Sequence, residues 1–178
     1  VPASCLYGLI GPGASGKSVL LKMIVGLLKP DAGSILVDGA DVTQASELDL
    51  QKMRLKFGML FQNNALFDHM TVGDNIAFPL RRLTDLPEDQ IVLYDEPAAG
   101  LDPVTSQKIF ELLREEQRAS GATVIMVSSD LDRLLTVTDR VGMMYRGRLI
   151  FDGTTHEAKT STEPRVRQFV HGLTEGPL

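Results

Sequence analysis

Short, nearly unbroken apolar runs alternate with longer stretches whose apolar residues recur every three or four positions. The runs are Leu6-Tyr7-Gly8-Leu9-Ile10, Phe57-Gly58-Met59-Leu60-Phe61, Ile91-Val92-Leu93-Tyr94 and the β-branched run 123–127. Runs of four or five apolar residues predict strands covered on both faces. Between them, helical spacing predicts a helix over 19–28 and a short surface helix within 46–56. It predicts another after Thr71, with Val72, Ile76, Ala77 and Leu80 on its apolar face. A longer helix is expected from Pro103 to about Ser120, with Ile109, Leu112 and Leu113 inward and Gly121 as its stop. Further helices are expected on Leu131, Leu134 and Leu135, then over 154–159 and 164–172. Asp38-Gly39 and Arg146-Gly147 read as hairpin turns, the second joining 141–145 to 148–151; residues 63–70 read as a loop. Strands alternating with helices imply an α/β fold, a mostly parallel sheet flanked by helices with an antiparallel β portion. Chemistry in such a sheet gathers at the carboxyl ends of its strands.

The first of those ends carries Gly11-Pro12-Gly13-Ala14-Ser15-Gly16-Lys17-Ser18. This fits G-x-x-x-x-G-K-[ST], the phosphate-cradling P-loop, here between a strand and a helix as the motif requires. Glycines let backbone N–H groups turn onto phosphate oxygens, and the positive end of the following helix faces the same anion. The cradle is read as Gly11 to Val19. Lys17 would reach the outer phosphates and the Ser18 hydroxyl would ligate Mg²⁺. The competing reading is a glycine-rich turn that holds a lysine. The strand at 91–94 ends in Asp95-Glu96. Behind a phosphate loop, Asp95 reads as a Mg²⁺ ligand and Glu96 as the group that polarises the attacking water. Without the loop, either carboxylate could be a cap or an ion-pair partner. Gln62 and Ser129 also follow strands, and Asp102 precedes a helix. Alone, Gln62 reads as an ordinary loop amide and Asp102 as a plain helix cap.

With 178 residues the chain is long enough for one domain with a real core. Its net charge of −5 argues against a partner bound by bulk positive charge, so no nucleic acid is expected. One cysteine, Cys5, excludes an internal disulfide and suits a reducing compartment. No apolar run approaches the ~20 residues that span a bilayer, so a membrane role is expected to come through a partner. The chain begins at Val1 rather than Met, and the native N-terminus is expected upstream. His69, His156 and His171 are scattered and read as surface residues.

Taken together, the loop at 11–18, Gln62, Ile91 through Asp95-Glu96-Pro97, and Ala99-Gly100-Leu101-Asp102-Pro103 resemble the ATP-binding subunits of ABC transporters, in order and over almost the whole chain. The stretches 58–67 and 70–80 and the tail 163–177 are similar to the ATPases of Mla/Mce-type lipid transporters. The resemblance implies an ABC nucleotide-binding domain over 1–160 and a C-terminal extension over 161–178. It implies ATP and Mg²⁺ as cofactors, with Ser18, Gln62 and Asp95 around the metal. Candidate catalytic residues are Lys17, Gln62, Glu96 and Ser129, the last in the family's switch position. Asp102 would touch the other protomer. Partners would be a second copy, an integral membrane permease and an MCE-type lipid-binding protein, at the cytoplasmic face of the bacterial inner membrane. The tail helix could pack Val166, Phe169 and Val170 on its own domain or reach another subunit.

Three departures qualify that reading. No Leu-Ser-Gly-Gly segment is present. Only residues 81–90 separate the helix after Thr71 from the 91–94 strand, where the family places a helical subdomain of tens of residues; the wording suggests a seam between Asp89 and Gln90. The adenine-stacking aromatic would lie upstream of Val1. The switch position, usually histidine, is Ser129, which is shorter and cannot carry positive charge. Losing one transition-state donor costs about 2.7–4 kcal/mol, and losing a hydrogen bond to a charged group roughly 1.5–3 kcal/mol more. Turnover would then fall on the order of 10³–10⁵. Missing base stacking would weaken nucleotide binding by a further ~1–3 kcal/mol. A weak ATPase is therefore expected. The alternatives are a soluble non-transport ABC ATPase and a degenerate module that binds nucleotide without turning it over.

Overall fold

The computed structural model describes residues 1–61 and 91–178. Gln62, the 63–70 loop, the helix expected after Thr71 and the 89/90 seam lie outside the described residues. Six strands form one sheet in the order β4-β5-β6-β1-β7-β8. These are β1 (Leu6–Ile10), β4 (Phe57–Leu60), β5 (Ile91–Asp95), β6 (Thr123–Val127), β7 (Arg140–Tyr145) and β8 (Arg148–Thr154). The first five pair in parallel, and β8 returns antiparallel on β7. β2 (Leu36–Val37) and β3 (Ala40–Asp41) form a separate small hairpin. Both expected hairpin turns are present. Asp38 and Gly39, and likewise Arg146 and Gly147, all take positive φ, as a two-residue type I′ connection requires.

The central strands divide their side chains between two layers. On one face Leu6, Ile10, Val124, Met126, Val141 and Met143 meet helices α3 (Pro103–Ser120), α4 (Leu131–Val137), α5 (Thr155–Lys159) and α6 (Pro164–His171). On the other, Tyr7, Leu9, Leu93, Ile125 and Val127 meet α1 (Lys17–Ile24) through Leu21 and Val25. A satellite cluster of Val37, Val42 and Leu50 seats the hairpin on α2 (Glu47–Arg54). The tail helix α6 packs Val166, Phe169 and Val170 against the main core.

Three details depart from the sequence expectations. Helix α1 stops at Ile24 rather than Leu28, because Gly26 turns left-handed (φ 69°) and presses on Leu50, where a Cβ would lie 2.8 Å from Cδ2. Arg54 closes that end by donating to the Val25 and Gly26 carbonyls at 3.1 and 2.9 Å. Helix α3 buries Ser106, Phe110 and Gln117 with Leu113 beside them, whereas Leu112 is exposed. Its inward stripe therefore drifts one position from the aliphatic pattern. Strand β4 is half-buried rather than fully covered, as its place at the end of the described sheet dictates.

A polar knot ties the entry of β1 to the helices. Asp139 accepts the Leu6 N–H (2.9 Å) and both arms of Arg114 (2.9 and 2.6 Å). The Gln117 amide donates to the Ser4 and Ala122 carbonyls at 3.0 and 3.1 Å. Partial burial pushes the Asp139 carboxyl up, but the Arg114 bonds and the Leu6 amide outweigh it and hold the acid below its usual range. A carboxylate depressed in the folded state stabilises above its unfolded value, about 3.9, and that contribution fades as pH falls through the lower native value. Asp139→Asn should therefore lower the urea midpoint at pH 7, with the gap to wild type narrowing below about pH 4. Phe110→Ala, at the fully buried centre of α3, should cost about 3–5 kcal/mol in the same denaturation.

Candidate functional site

Because β5, β6 and β1 run parallel side by side, their carboxyl ends open on one edge. The loop leaving β1 turns away immediately. Gly11 has φ 141°, and a Cβ there would lie 2.1 Å from the Met144 carbonyl oxygen of β7, so only glycine fits. The loop is braced by Gly147 N–H to Ser15 O (3.2 Å) and Ser15 N–H to Pro12 O (3.3 Å). Gly16 is the N-cap of α1, left-handed at φ 102°, and no side chain caps the helix. By contrast Ser46, Asp102, Asp130, Thr154 and Glu163 each cap their own helix with a side-chain oxygen. The first helical bond runs from Leu20 N–H to Gly16 O (2.9 Å). The N–H groups of Lys17, Ser18 and Val19 thus have no partner further back in the helix. They open on a groove of about 350 Å³ lined by Ala14, Ser15, Gly16, Lys17, Ser18 and Val19. Free amides at the positive end of a helix, in a groove with nothing acidic in the first turn, suit an anion with several oxygens.

Lys17 folds back over this cradle. Its Nζ donates to the Gly11 and Pro12 carbonyls at 2.7 and 2.9 Å and to Ser15 Oγ at 3.3 Å. Partial burial pulls its pKa down, and the negative charges of Glu96 and Asp95 oppose that shift. Both acids thus lie close enough to the loop for their charge to act on Lys17. Asp95 is buried at the end of β5, and its Oδ1 accepts the Ser18 hydroxyl at 3.1 Å. A hydroxyl and a carboxylate meeting at the phosphate cradle form the hard-oxygen pair Mg²⁺ takes when its other ligands are phosphate and water. These residues fit that ion without a cage of protein ligands.

Glu96 sits one residue past the strand in a left-handed conformation (φ 56°), and its N–H donates to Val127 O at 2.9 Å. Its carboxylate turns towards the end of β6. There Glu96 Oε2 accepts both the Ser129 N–H (2.9 Å) and the Ser129 hydroxyl (3.1 Å). The sequence singled out both residues but gave no sign that they touch. The carbonyl partners of Lys17 were equally unforeseen, because a lysine motif names no backbone acceptor. Asp102 caps α3, accepting from the Val104 and Thr105 amides at 2.9 and 3.0 Å. Hydrogen bonds from Thr105 hold its pKa down. Among the described residues no helix is long and apolar enough to cross a membrane.

The chain is similar to known proteins along most of its length. Residues 1–144 match the family model described as ABC transporter. The whole chain aligns at 35% identity with 64% of a Mycobacterium leprae protein named "Probable ribonucleotide transport ATP-binding protein mkl". It also aligns at 30% identity with 82% of the Escherichia coli K12 "Intermembrane phospholipid transport system ATP-binding protein MlaF". The chain thus spans less than two thirds of the mycobacterial relative. Both matches run over 222 residues against 178 in this chain, a difference of 44. Among solved structures, a dimer of the ATP-binding cassette MJ0796 in a post-hydrolysis state with ADP and Pi superposes with a TM-score of 0.77 at 21% identity, covering 87% of each chain. CbiO1 from Clostridium perfringens, described as part of the ABC transporter complex cbiONQ, gives 0.72 at 26% identity over 92% of this chain and 82% of its own. The fold is that of the P-loop ABC ATPase cassettes, and the chain belongs to the ATP-binding subunits of the ABC transporter family.

Proposed function

We propose that this chain is the ATP-hydrolysing subunit of a lipid transporter of the Mla/Mce type. The observation that carries the enzymatic half is the meeting of Ser18 and Asp95 at 3.1 Å beneath an uncapped helix N-terminus, with Glu96 one residue away. In this reading the amides of Gly13 to Val19 and the Lys17 ammonium hold the phosphates of ATP. Ser18, Asp95 and Gln62 hold Mg²⁺, which when bound neutralises charge developing on the transferred phosphoryl group. Glu96 orients the attacking water. The alignment with MlaF along the entire chain supports phospholipid as the cargo class. A ribonucleotide, named for the mycobacterial relatives, is the second reading. Cargo would be chosen by a permease and an MCE-type partner, with a pair of these subunits peripheral to the cytoplasmic face of the inner membrane. Asp102 would lie at the contact between the two copies. The ATP-binding domain is read as 1–160 and the extension as 161–178.

The 44 additional residues in the relatives agree in size with a helical subdomain, and we assign that difference to the 89/90 seam. Without that segment the signature donors are missing, so multiple-turnover hydrolysis by this chain should fall on the order of 10³–10⁵ below a complete cassette. A rate equal to a complete cassette's would overturn the assignment. Single-turnover measurement with labelled ATP separates an enzyme from a binder. Glu96→Gln should retain ATP and lose a further ~10²–10⁴ in rate; an unchanged rate would leave only a nucleotide-binding module. Affinity capture from membranes with this chain as bait should recover an integral permease. Recovery of a DNA-repair or translation complex would favour a non-transport ATPase.

A further inference from the structure

The loop after β6 is fixed on both sides of Ser129. Ser128 is buried, and its hydroxyl accepts the Asp130 N–H at 3.1 Å. Asp130 in turn caps α4, accepting the Arg133 N–H at 3.2 Å and pairing with the Arg133 guanidinium. The Ser129 carbonyl accepts the Leu131 N–H at 3.1 Å. Ser129 therefore presents its own N–H and hydroxyl from a rigid turn, and both end on the same oxygen of Glu96. Glu96 is left-handed. A non-glycine residue in the left-handed region stays there only where its surroundings hold it. Its backbone is bonded to Val127 O and Ala99 N–H, and its side chain is held by the two Ser129 bonds.

We propose that Ser129 is a positioning residue that fixes the Glu96 carboxylate by one oxygen, leaving Oε1 to face water. This inference rests on the hydrolytic reading above. A neutral hydroxyl and a main-chain amide do by geometry what an ionisable side chain would do by charge. Two donors on Oε2 fix the plane and direction of the carboxylate, and a base held within hydrogen-bond reach of its water is what general-base catalysis needs. Because one of the two donors is backbone, changing the side chain removes half of the clamp and leaves half in place. Among the described residues, the charged groups near Glu96 are Lys17, whose charged form it favours, and its neighbour Asp95.

In steady-state hydrolysis, Ser129→Ala should lower kcat about tenfold to a hundredfold, the worth of one hydrogen bond to a charged group. KM for ATP should stay within about twofold, since no phosphate contact is lost. Ser129→Thr, which keeps the hydroxyl, should restore most of the rate. In the Glu96→Gln background, Ser129→Ala should change the residual rate by less than about twofold, because the pair acts as one unit. An equal loss in both backgrounds would mean that Ser129 acts on the nucleotide itself, and would overturn the proposal. Hydrogen exchange at the Ser129 amide gives a readout that needs no turnover. Glu96→Ala should speed that exchange in the intact chain while neighbouring amides of β6 keep their protection. Unchanged exchange would remove the clamp outright. Accelerated exchange in a chain with no measurable hydrolysis would leave the clamp standing and refute the ATPase reading instead.

Discussion

The parallel pairing of β5, β6 and β1 is the constraint on which everything else rests. A strand ladder of this kind fixes direction as well as distance, so three loops far apart in sequence must leave the sheet from one edge. Asp95 ends β5, Ser129 follows β6, and the glycine loop follows β1. No side chain has to search for another. Register carries each within bonding reach, as when Asp95 pairs with Val127 across the ladder and Ser18 then reaches the carboxylate from the first turn of α1. The two helical layers maintain that edge. Leu6 and Ile10 anchor β1 on one side, and Tyr7 and Leu9 anchor it on the other. The Asp139 knot holds the strand's entry in place.

At this edge the backbone takes left-handed conformations at several positions close together. Ala14 and Glu96 are both left-handed without being glycine, and Gly11 and Gly16 take angles that other residues rarely adopt. Strain of this kind persists only where the surroundings over-determine it. The surroundings here are a β7 carbonyl packed against Gly11, a β7–β8 turn bonded to Ser15, and a β6 carbonyl bonded to Glu96. An uncapped helix start belongs to the same pattern. Every other helix in the described chain satisfies its first amides with its own serine, threonine, aspartate or glutamate, whereas α1 leaves them to whatever enters the groove.

Much of this could be read from residue order because it depends on local rules. Apolar runs marked β1, β5 and β6, and Asp-Gly and Arg-Gly marked the turns. The spacing of two glycines, a lysine and a serine marked the cradle. What escaped was set by tertiary packing. Leu112 looked like core by hydropathy, yet Phe110 and the polar Ser106 and Gln117 face inward. The Gln117 amide can be buried because two backbone carbonyls await it. The end of α1 escaped because Val25 to Leu28 continue the helical pattern, and only the approach of Leu50 explains why Gly26 breaks it. The Ser129–Glu96 contact joins positions 33 apart, and nothing local in either segment announces the other.

The posture of Lys17 carries one more consequence. Its ammonium is already withdrawn from bulk water and rests on two carbonyls and a hydroxyl. An arriving anion therefore meets a cation that has already exchanged part of its hydration for protein oxygens. The exchange replaces neutral dipoles with a full negative charge, and little solvent has to be moved at that moment. A neutral solute of similar shape gains nothing from the swap, because it would have to displace three satisfactory hydrogen bonds without offering a charge in return. The contacts the loop makes with itself thus favour a charged ligand over an uncharged one of similar shape.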